Sequence, residues 1–227
     1  DEIATNRNGI EKAIRGILGD DTVFVSNKSW FNDNLSFMNF VTSFGKHFSI
    51  NRMLSLQSVQ SRLENNSNLS FLEFCYSLMQ SVDFFHLNQN NGVNVQIGGS
   101  DQWGNIVSGI DLIRRMNGNE VFAFTTPLLL DKNGEKMGKS QGNPVWLDAE
   151  MTSPFDFFQF WRNIDDVDID RFTKLFTPLM EPYNDPNLAK EELAFHVTAL
   201  VHGKQLAEET REQVRNAFSG SIGAVLK

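Results

Sequence analysis

The chain has 227 residues and a mass of 25.8 kDa, which suits one large domain or one domain with an appendage. Hydrophobic residues make up 41% of the chain and charged residues 21%, and these globular proportions exclude a disordered or fibrous protein. The 20 basic and 28 acidic side chains give a formal net charge of −8, so nucleic acid is repelled unless a local basic patch makes the contact.

Several classes of protein are excluded by what the sequence lacks. No stretch has the length of a membrane span or the pattern of a signal peptide. The single cysteine, Cys75, cannot form a disulfide within the chain, and the four histidines show no metal-ligand spacing, so we expect no bound metal. The sequence opens without methionine, directly in a helical pattern, and we therefore expect a fragment of a longer protein; the alternative is a processed or trimmed protein.

The first part of the chain alternates between helical and strand patterns. Helical spacing of apolar residues predicts a helix over 2–18, and the apolar run 22–25 predicts a short buried strand. The Phe-rich stretch 31–48 and the segment 55–63 are predicted to be helical. Ser70 and Glu73 have the spacing of a capping box, which predicts a helix that runs to about Leu87.

The second part continues the alternation and then becomes wholly helical. A strand is predicted at 93–97, a helix opening at Ser100, and a buried strand at 121–130. Further helices are predicted from Ser153-Pro154, over 168–178, and from Pro186 to about Phe218 with a break near Gly203. The order indicates an α/β fold with part of a parallel sheet, followed by an α-helical subdomain.

Three groups of residues are candidates for chemistry. The junction Gly98-Gly99-Ser100-Asp101-Gln102 lies between a strand and a helix, where parallel sheets bind ligands and helix N–H groups favour anions. The alternative is a tight turn with Asp101 as a helix cap. Because the pattern is not G-x-G-x-x-G, a dinucleotide site is not indicated.

The predicted helix over 70–87 carries the second group. Tyr76, Gln80 and Asp83 are spaced i, i+4 and i+7, so they share one narrow face between apolar residues. Polar groups flanked in this way need partners inside a pocket. The alternative is a polar stripe facing water.

The third group is the loop Lys136-Met137-Gly138-Lys139-Ser140, whose spacing differs from that of a P-loop. Lysines on a mobile loop can close over phosphates as point charges. The alternative is a charged turn in solvent.

These three groups, in this order, resemble bacterial or organellar tyrosyl-tRNA synthetases, which are class I enzymes. Segment 76–84 resembles the tyrosine-binding helix of that family, and segment 96–105 (Gln-Ile-Gly-Gly-Ser-Asp-Gln-Trp-Gly-Asn) matches its most specific motif almost residue for residue. Segment 136–140 resembles the class I lysine-rich loop. The resemblance implies the latter part of a Rossmann-like nucleotide-binding core over 1–150, with a helical connective insertion at about 22–65. It implies an incomplete tRNA-facing helical subdomain over 151–227.

The resemblance also implies roles for individual residues. Tyrosine would be bound by Tyr76, Gln80, Asp83, Gln96 and Gln102. ATP would be bound by Gly99, Asp101, Leu128, Leu129, Lys136 and Lys139. The two lysines would also be the catalytic residues, because they bind the phosphates during reaction.

The implied activity is a tyrosine–tRNA ligase, which activates tyrosine with ATP to tyrosyl-adenylate and transfers the tyrosyl group to tRNA(Tyr). Such chemistry depends on positioning and charge stabilisation, with Mg²⁺ accompanying ATP and no protein nucleophile. Asp83 would accept a hydrogen bond from the phenol hydroxyl of tyrosine. Phenylalanine has no hydroxyl and would be rejected, a discrimination for which this family is itself a standard example.

Two family features have no counterpart in the sequence, namely the H-x-G-H half of the core and the C-terminal RNA-binding domain. We therefore expect no tyrosine-dependent ATP–pyrophosphate exchange from the chain alone.

The resemblance implies a homodimer in the cytoplasm or an organelle. The candidate interface residues are Phe31, Phe37, Phe40, Phe44 and Phe48, and core packing is the alternative for them. Two other functions stay open: a tryptophanyl-tRNA synthetase, and a catalytically silent module that binds RNA or protein.

Overall fold

The computed structural model describes residues 2–31, 35–130, 134, 137, 144–179, 181 and 183–225, with side chains as far as residue 217. The described chain divides into two compact units, one made of residues 25–128 and the other of residues 1–24 together with 129–227.

The unit of residues 25–128 contains a two-stranded parallel sheet and most of the site candidates. Its helices are α2 (Phe37–Ser43), α3 (Ile50–Leu54), α4 (Gln57–Glu64), α5 (Phe71–Asn91) and α6 (Trp103–Met116). Its strands are β1 (Val95–Gly99) and β2 (Phe122–Thr126), which pair in parallel with Val95 opposite Phe122 and Gly99 opposite Thr126. Helix α6 connects the two strands and packs along α5.

Local signals explain why α5 forms where it does. The Ser70 hydroxyl accepts from the Glu73 N–H at 3.2 Å, and the Glu73 carboxylate accepts from the Ser70 N–H at 2.9 Å, so the predicted capping box is present. The helix runs past Leu87 to Asn91 and ends at Gly92, whose φ of +68° is a left-handed C-cap. Ser77, Ser81, Val82 and Phe84 form its buried side.

The sheet differs from its prediction in position and in exposure. Strand β1 begins two residues later than predicted and includes the two glycines. The predicted strand at 121–130 is shorter, and one face is open: Val95 and Ile97 on β1 and Phe122 and Phe124 on β2 are 43–67% exposed. A parallel sheet is normally covered on both faces. Burial alternates along the whole of β2 and along β1 as far as Gly98, and the apolar side chains of this face are the exposed ones.

Two other predictions are wrong in detail. The strand predicted at 22–25 is absent, because this described segment joins no ladder and leaves Val23 80% exposed. A strand needs a neighbour to receive its backbone hydrogen bonds, and apolar composition alone does not supply one. In the described part of the segment 31–48, the predicted helix is replaced by α2 and a short 3₁₀ turn at Gly45–His47.

The other unit is helical. It contains α1 (Glu2–Leu18), α7 (Pro154–Arg162), α8 (Ile169–Phe176), α9 (Pro186–His202) and α10 (Lys204–Val225). Phe157, Phe158, Phe172 and Leu193 are at most 2% exposed and form the centre of its core. The break between α9 and α10 lies at Gly203, as predicted, with a φ of +89°. The α/β class with a parallel strand pair followed by helices is therefore confirmed.

Candidate functional site

Helix α5 presents Tyr76, Gln80 and Asp83 on one face, as their spacing predicts. Tyr76 is 55% exposed, whereas Gln80 and Asp83 are half-buried. The face is therefore not fully exposed to solvent, and the side chains at its half-buried end, Gln80 and Asp83, have protein partners.

Asp83 has two partners from the segment that precedes α2. The indole Nε1–H of Trp30 donates to Oδ1 of Asp83 at 2.7 Å, and the side-chain amide of Asn27 donates to Oδ2 at 3.4 Å. Burial raises the pKa of the Asp83 carboxyl above its ordinary value, although both hydrogen bonds and the nearby His86 act in the opposite direction. The carboxylate is thus anchored by the protein instead of turning out to bulk water.

Asn105 links the face of α5 to the junction between β1 and α6. Its Nδ2 lies 3.1 Å from Oε1 of Gln80 and 3.4 Å from Oε1 of Gln102, so one amide group contacts both glutamines. These contacts bring together two predicted tyrosine-binding residues that are remote in sequence.

Gln96 is the second residue of β1, and its Oε1 is buried without a hydrogen-bond partner among the described residues. Buried polar atoms in folded proteins nearly always have a partner. An acceptor of this kind, on the strand that leads into the glycine junction, is suited to a ligand donor.

A cavity of about 330 Å³ lies between α4 and α5. Tyr76, Gln80, Gln102 and Asn105 are among its lining residues, but Asp83 is not. Its volume falls within the range of small-molecule sites. Of the predicted tyrosine-binding residues, the cavity gathers those assigned to the amino and carboxylate end.

The glycine junction is closely packed. A Cβ on Gly99 would lie 2.8 Å from Oδ1 of Asp101 and 3.0 Å from Cδ2 of Leu128, and one on Gly98 would lie 3.1 Å from Cβ of Gln102. Packing within the protein is therefore a sufficient reason for both glycines. It also places Gly99, Asp101 and Leu128, three of the predicted ATP-binding residues, next to one another.

The remaining ATP candidates are described only in part. Lys136 and Lys139 lie outside the described residues. Leu129 belongs to the other compact unit, and its carbonyl accepts from the Met137 N–H at 2.9 Å.

Three residues of the site were not indicated by sequence reasoning: Asn27, Trp30 and Asn105. Asn105 lies inside the matched segment 96–105, so that motif was the available signal for it. Asn27 and Trp30 reach Asp83 across more than 50 residues of chain, and no local pattern reports such a contact.

Two features are absent from the described residues. No three His, Cys, Asp or Glu side chains in the described part of the chain come together in a way that would hold a metal ion. Within the same part, no helix has both the length and the apolar character needed to cross a membrane.

Comparisons with known proteins agree with this arrangement. The profile of the family described as tRNA synthetases class I (W and Y) matches residues 2–219. The tyrosine–tRNA ligase of Treponema denticola is 49% identical over 229 residues, which cover 97% of this chain and 56% of the relative. That of Brucella abortus is 46% identical over 232 residues, which cover 96% of this chain and 55% of the relative.

Among solved structures, a C-terminally truncated mitochondrial tyrosyl-tRNA synthetase of Aspergillus nidulans superposes with a TM-score of 0.68 at 32% identity, over 84% of this chain and 57% of that one. The corresponding enzyme of Coccidioides posadasii gives a TM-score of 0.65 at 33% identity, over 82% and 56%. The chain thus spans little more than half the length of the relatives it matches.

Proposed function

Since this chain belongs to the tRNA synthetases class I (W and Y), we propose that it forms the latter part of the catalytic core of a tyrosine–tRNA ligase. The observation that carries the proposal is the half-buried Asp83 carboxylate, which Trp30 and Asn27 anchor on the same helix face as Gln80. A fixed acceptor at this place is what selection of a phenol hydroxyl requires.

The proposed reaction has two steps. An oxygen of the tyrosine carboxylate attacks the α-phosphorus of ATP, the bond to the β-phosphate oxygen breaks, and pyrophosphate leaves with those electrons. The terminal ribose hydroxyl of tRNA(Tyr) then attacks the acyl carbon, the bond from that carbon to the phosphate oxygen breaks, and AMP leaves with those electrons. The proton of the hydroxyl passes to water. Neither step needs a nucleophile from the protein, so the chain contributes positioning and charge.

We assign the amino acid to the wall formed by α5 and β1. Tyr76 and Gln80 would hold its ammonium group, Asp83 its phenol, and Gln96 and Gln102 would frame it, with Gln102 nearest its carboxylate. The open lone pair of Gln80 Oε1, whose other contact is Asn105, suits an ammonium donor. The unpartnered Oε1 of Gln96 suits the same ligand.

We assign ATP to the glycine junction and the lysine-rich loop. Gly99 and Asp101 would face the ribose, the backbone of Leu128 and Leu129 would meet adenine, and Lys136 and Lys139 would bind the phosphates. Mg²⁺ would arrive with ATP. The proximity of Gly99, Asp101 and Leu128 is compatible with the part of this assignment that lies at the glycine junction.

The wider assignments follow from the same family membership. We propose a catalytic part over 1–150, which includes a connective insertion at about 22–65, and a tRNA-facing helical part over 151–227. The protein would work in the cytoplasm or in an organelle, and its solved relatives include mitochondrial enzymes.

Thermal unfolding in the presence of ligands tests the assignment. We expect L-tyrosine to raise the midpoint temperature of the chain, and L-tryptophan and L-phenylalanine to leave it unchanged, since only tyrosine offers a hydroxyl to Asp83. A rise with tryptophan alone would favour the tryptophan enzyme. No rise with tyrosine, tryptophan or ATP would favour a catalytically silent relative.

A homodimer is the proposed assembly. An apolar groove of about 400 Å³ runs beside α2 and α5, where Phe37, Phe71 and Leu72 are 61–69% exposed, and we propose that a second copy covers it. Of the other interface candidates, Phe31, Phe40 and Phe44 form a row of tilted rings whose last member packs in a T-shaped contact on Phe85 of α5. This row supports core packing for Phe40 and Phe44. Sedimentation velocity at micromolar concentration should show a dimer, and Phe71→Lys should give a monomer. A monomer of the unsubstituted chain would contradict the proposal.

A further inference from the structure

One indole ring joins two side chains of α5. Asp83 and His86 are three residues apart on that helix and therefore lie on the same side of it. Trp30 donates its Nε1–H to Asp83 and stacks its ring on the His86 imidazole, with 4.2 Å between ring centroids and 18° between ring planes. The same indole is thus fixed at its edge by the carboxylate and on its face by the imidazole.

The backbone on either side of Trp30 is also held. Its N–H donates to the Asn27 carbonyl at 3.1 Å at the end of the 3₁₀ turn Asn27–Ser29, and the Phe31 N–H donates to the same carbonyl at 2.8 Å. The Phe31 ring also lies 6.0 Å from that of Phe40. With the backbone held, the position of the indole depends on its two side-chain torsions. One hydrogen bond leaves the ring free to pivot about its N–H, and the stack on His86 removes that freedom.

We propose that His86 is a positioning residue: by stacking on Trp30 it keeps the indole N–H on Asp83, and so holds the carboxylate that selects tyrosine over phenylalanine. This inference rests on the proposed function. His86 would touch neither substrate and would hold the carboxylate through Trp30. It also acts electrostatically on Asp83, and His86→Phe separates the two effects because it keeps a ring and removes the charge.

The hydrogen-bonding capacity of Asp83 explains why the position of Trp30 matters. An ionised carboxylate offers about four lone-pair sites, and Trp30 fills one on Oδ1 with a short bond. Asn27 approaches Oδ2 at 3.4 Å, a long contact that leaves this oxygen open to a stronger donor. A phenol hydroxyl would be such a donor. If the indole pivoted away, both oxygens could rotate, and the acceptor would no longer have a fixed direction.

The indole resonance of Trp30 in a ¹H–¹⁵N spectrum tests the first half of the proposal without any ligand. Trp30→Phe identifies the resonance among the four tryptophans. We expect His86→Ala to move it toward the position of an unbonded indole and to speed its exchange with water. His86→Phe, which restores a stacking ring without charge, should return it. Gln89→Ala, an exposed change one turn further along α5, is the matched control and should leave it in place.

Amino-acid binding to the same variants tests the second half. We expect His86→Ala to lower the ratio of tyrosine to phenylalanine affinity about 10-fold, roughly the loss of one hydrogen bond to a charged group, and His86→Phe to restore it. A merely structural role would weaken both ligands alike and leave the ratio unchanged. An unmoved indole resonance in His86→Ala, or an unchanged ratio, would overturn the proposal. If tyrosine did not bind to the unsubstituted chain, both the proposed function and the role of His86 in selectivity would be overturned. The Trp30 indole resonance would still show whether His86 holds Trp30 in place.

Discussion

Asp83 is a carboxyl group whose ionised form loses solvation when the chain folds. Its donors Trp30 and Asn27 offset part of that loss, yet the net effect is a raised pKa. Ionisable groups with shifted pKa values are concentrated at functional sites. The raised pKa of Asp83 therefore agrees with the binding role that its geometry supports.

This pKa shift has a consequence for stability. A carboxyl with a raised folded pKa favours folding below its ordinary pKa, and the favourable contribution is lost as the pH rises through the folded value. We expect the free energy of unfolding of the chain, relative to that of Asp83→Asn, to fall as the pH rises from about 3 to about 7. Urea denaturation at several pH values measures the difference.

Gln89→Ala on the same helix is the control, and its difference from the unsubstituted chain should stay constant over the same range. If the free energy of unfolding of Asp83→Asn, relative to that of the unsubstituted chain, fell as the pH rose, the pKa of Asp83 would be lowered by folding instead of raised.

The sequence predicts those residues of the site whose contacts are local or that lie inside a motif. Tyr76, Gln80 and Asp83 share a helix face because of their spacing alone. Trp30 could not be predicted as a partner of Asp83, because a contact across so many residues depends on how α5 and the segment before α2 pack together. The roles of Lys136 and Lys139 stay predictions.

At the scale of elements, local hydrogen bonding decided which predictions were accurate. Helix α5 has its stop and start signals within a few residues of each end, so its bounds follow from Ser70, Glu73 and Gly92. The strand predicted at 22–25 had only apolar composition in its favour. A strand satisfies its backbone groups through a neighbour, and the sequence does not state which neighbour is present.

The cap of α5 supports the site, because that helix carries both Gln80 and Asp83. We expect Ser70→Ala to lower the free energy of unfolding by about 1 kcal/mol, since it leaves the Glu73 N–H without its acceptor. Chemical denaturation measures the loss. Ser67→Ala in the preceding loop is the matched control and should change stability by less than about 0.5 kcal/mol. Equal losses for the two variants would mean that the cap does not stabilise the helix.

At the scale of the whole molecule, the open face of the β1–β2 sheet is the most unusual feature. Its four apolar side chains are largely exposed, and the chain spans little more than half of its relatives. Exposed apolar surface of this kind promotes association and contributes nothing to the stability of the unit that bears it.

Substitution on this face should therefore improve behaviour in solution without loss of stability. We expect Ile97→Thr with Phe124→Thr to reduce binding of an apolar dye, and to change the free energy of unfolding by less than about 1 kcal/mol. Val121→Thr is the buried counterpart, since Val121 is only 5% exposed, and it should destabilise the chain by more. A large destabilisation by the double variant would show that the face is covered in solution.

The central claim is that α5 of this chain carries the acceptor for a tyrosine hydroxyl. Equilibrium binding of L-tyrosine and L-phenylalanine to the chain and to Asp83→Asn tests it most directly, with Gln89→Ala as the control. The account predicts a preference for tyrosine that Asp83→Asn reduces at least about 10-fold, with little change for phenylalanine. Equal binding of both amino acids to the unsubstituted chain, or a preference that survives in Asp83→Asn, would contradict it.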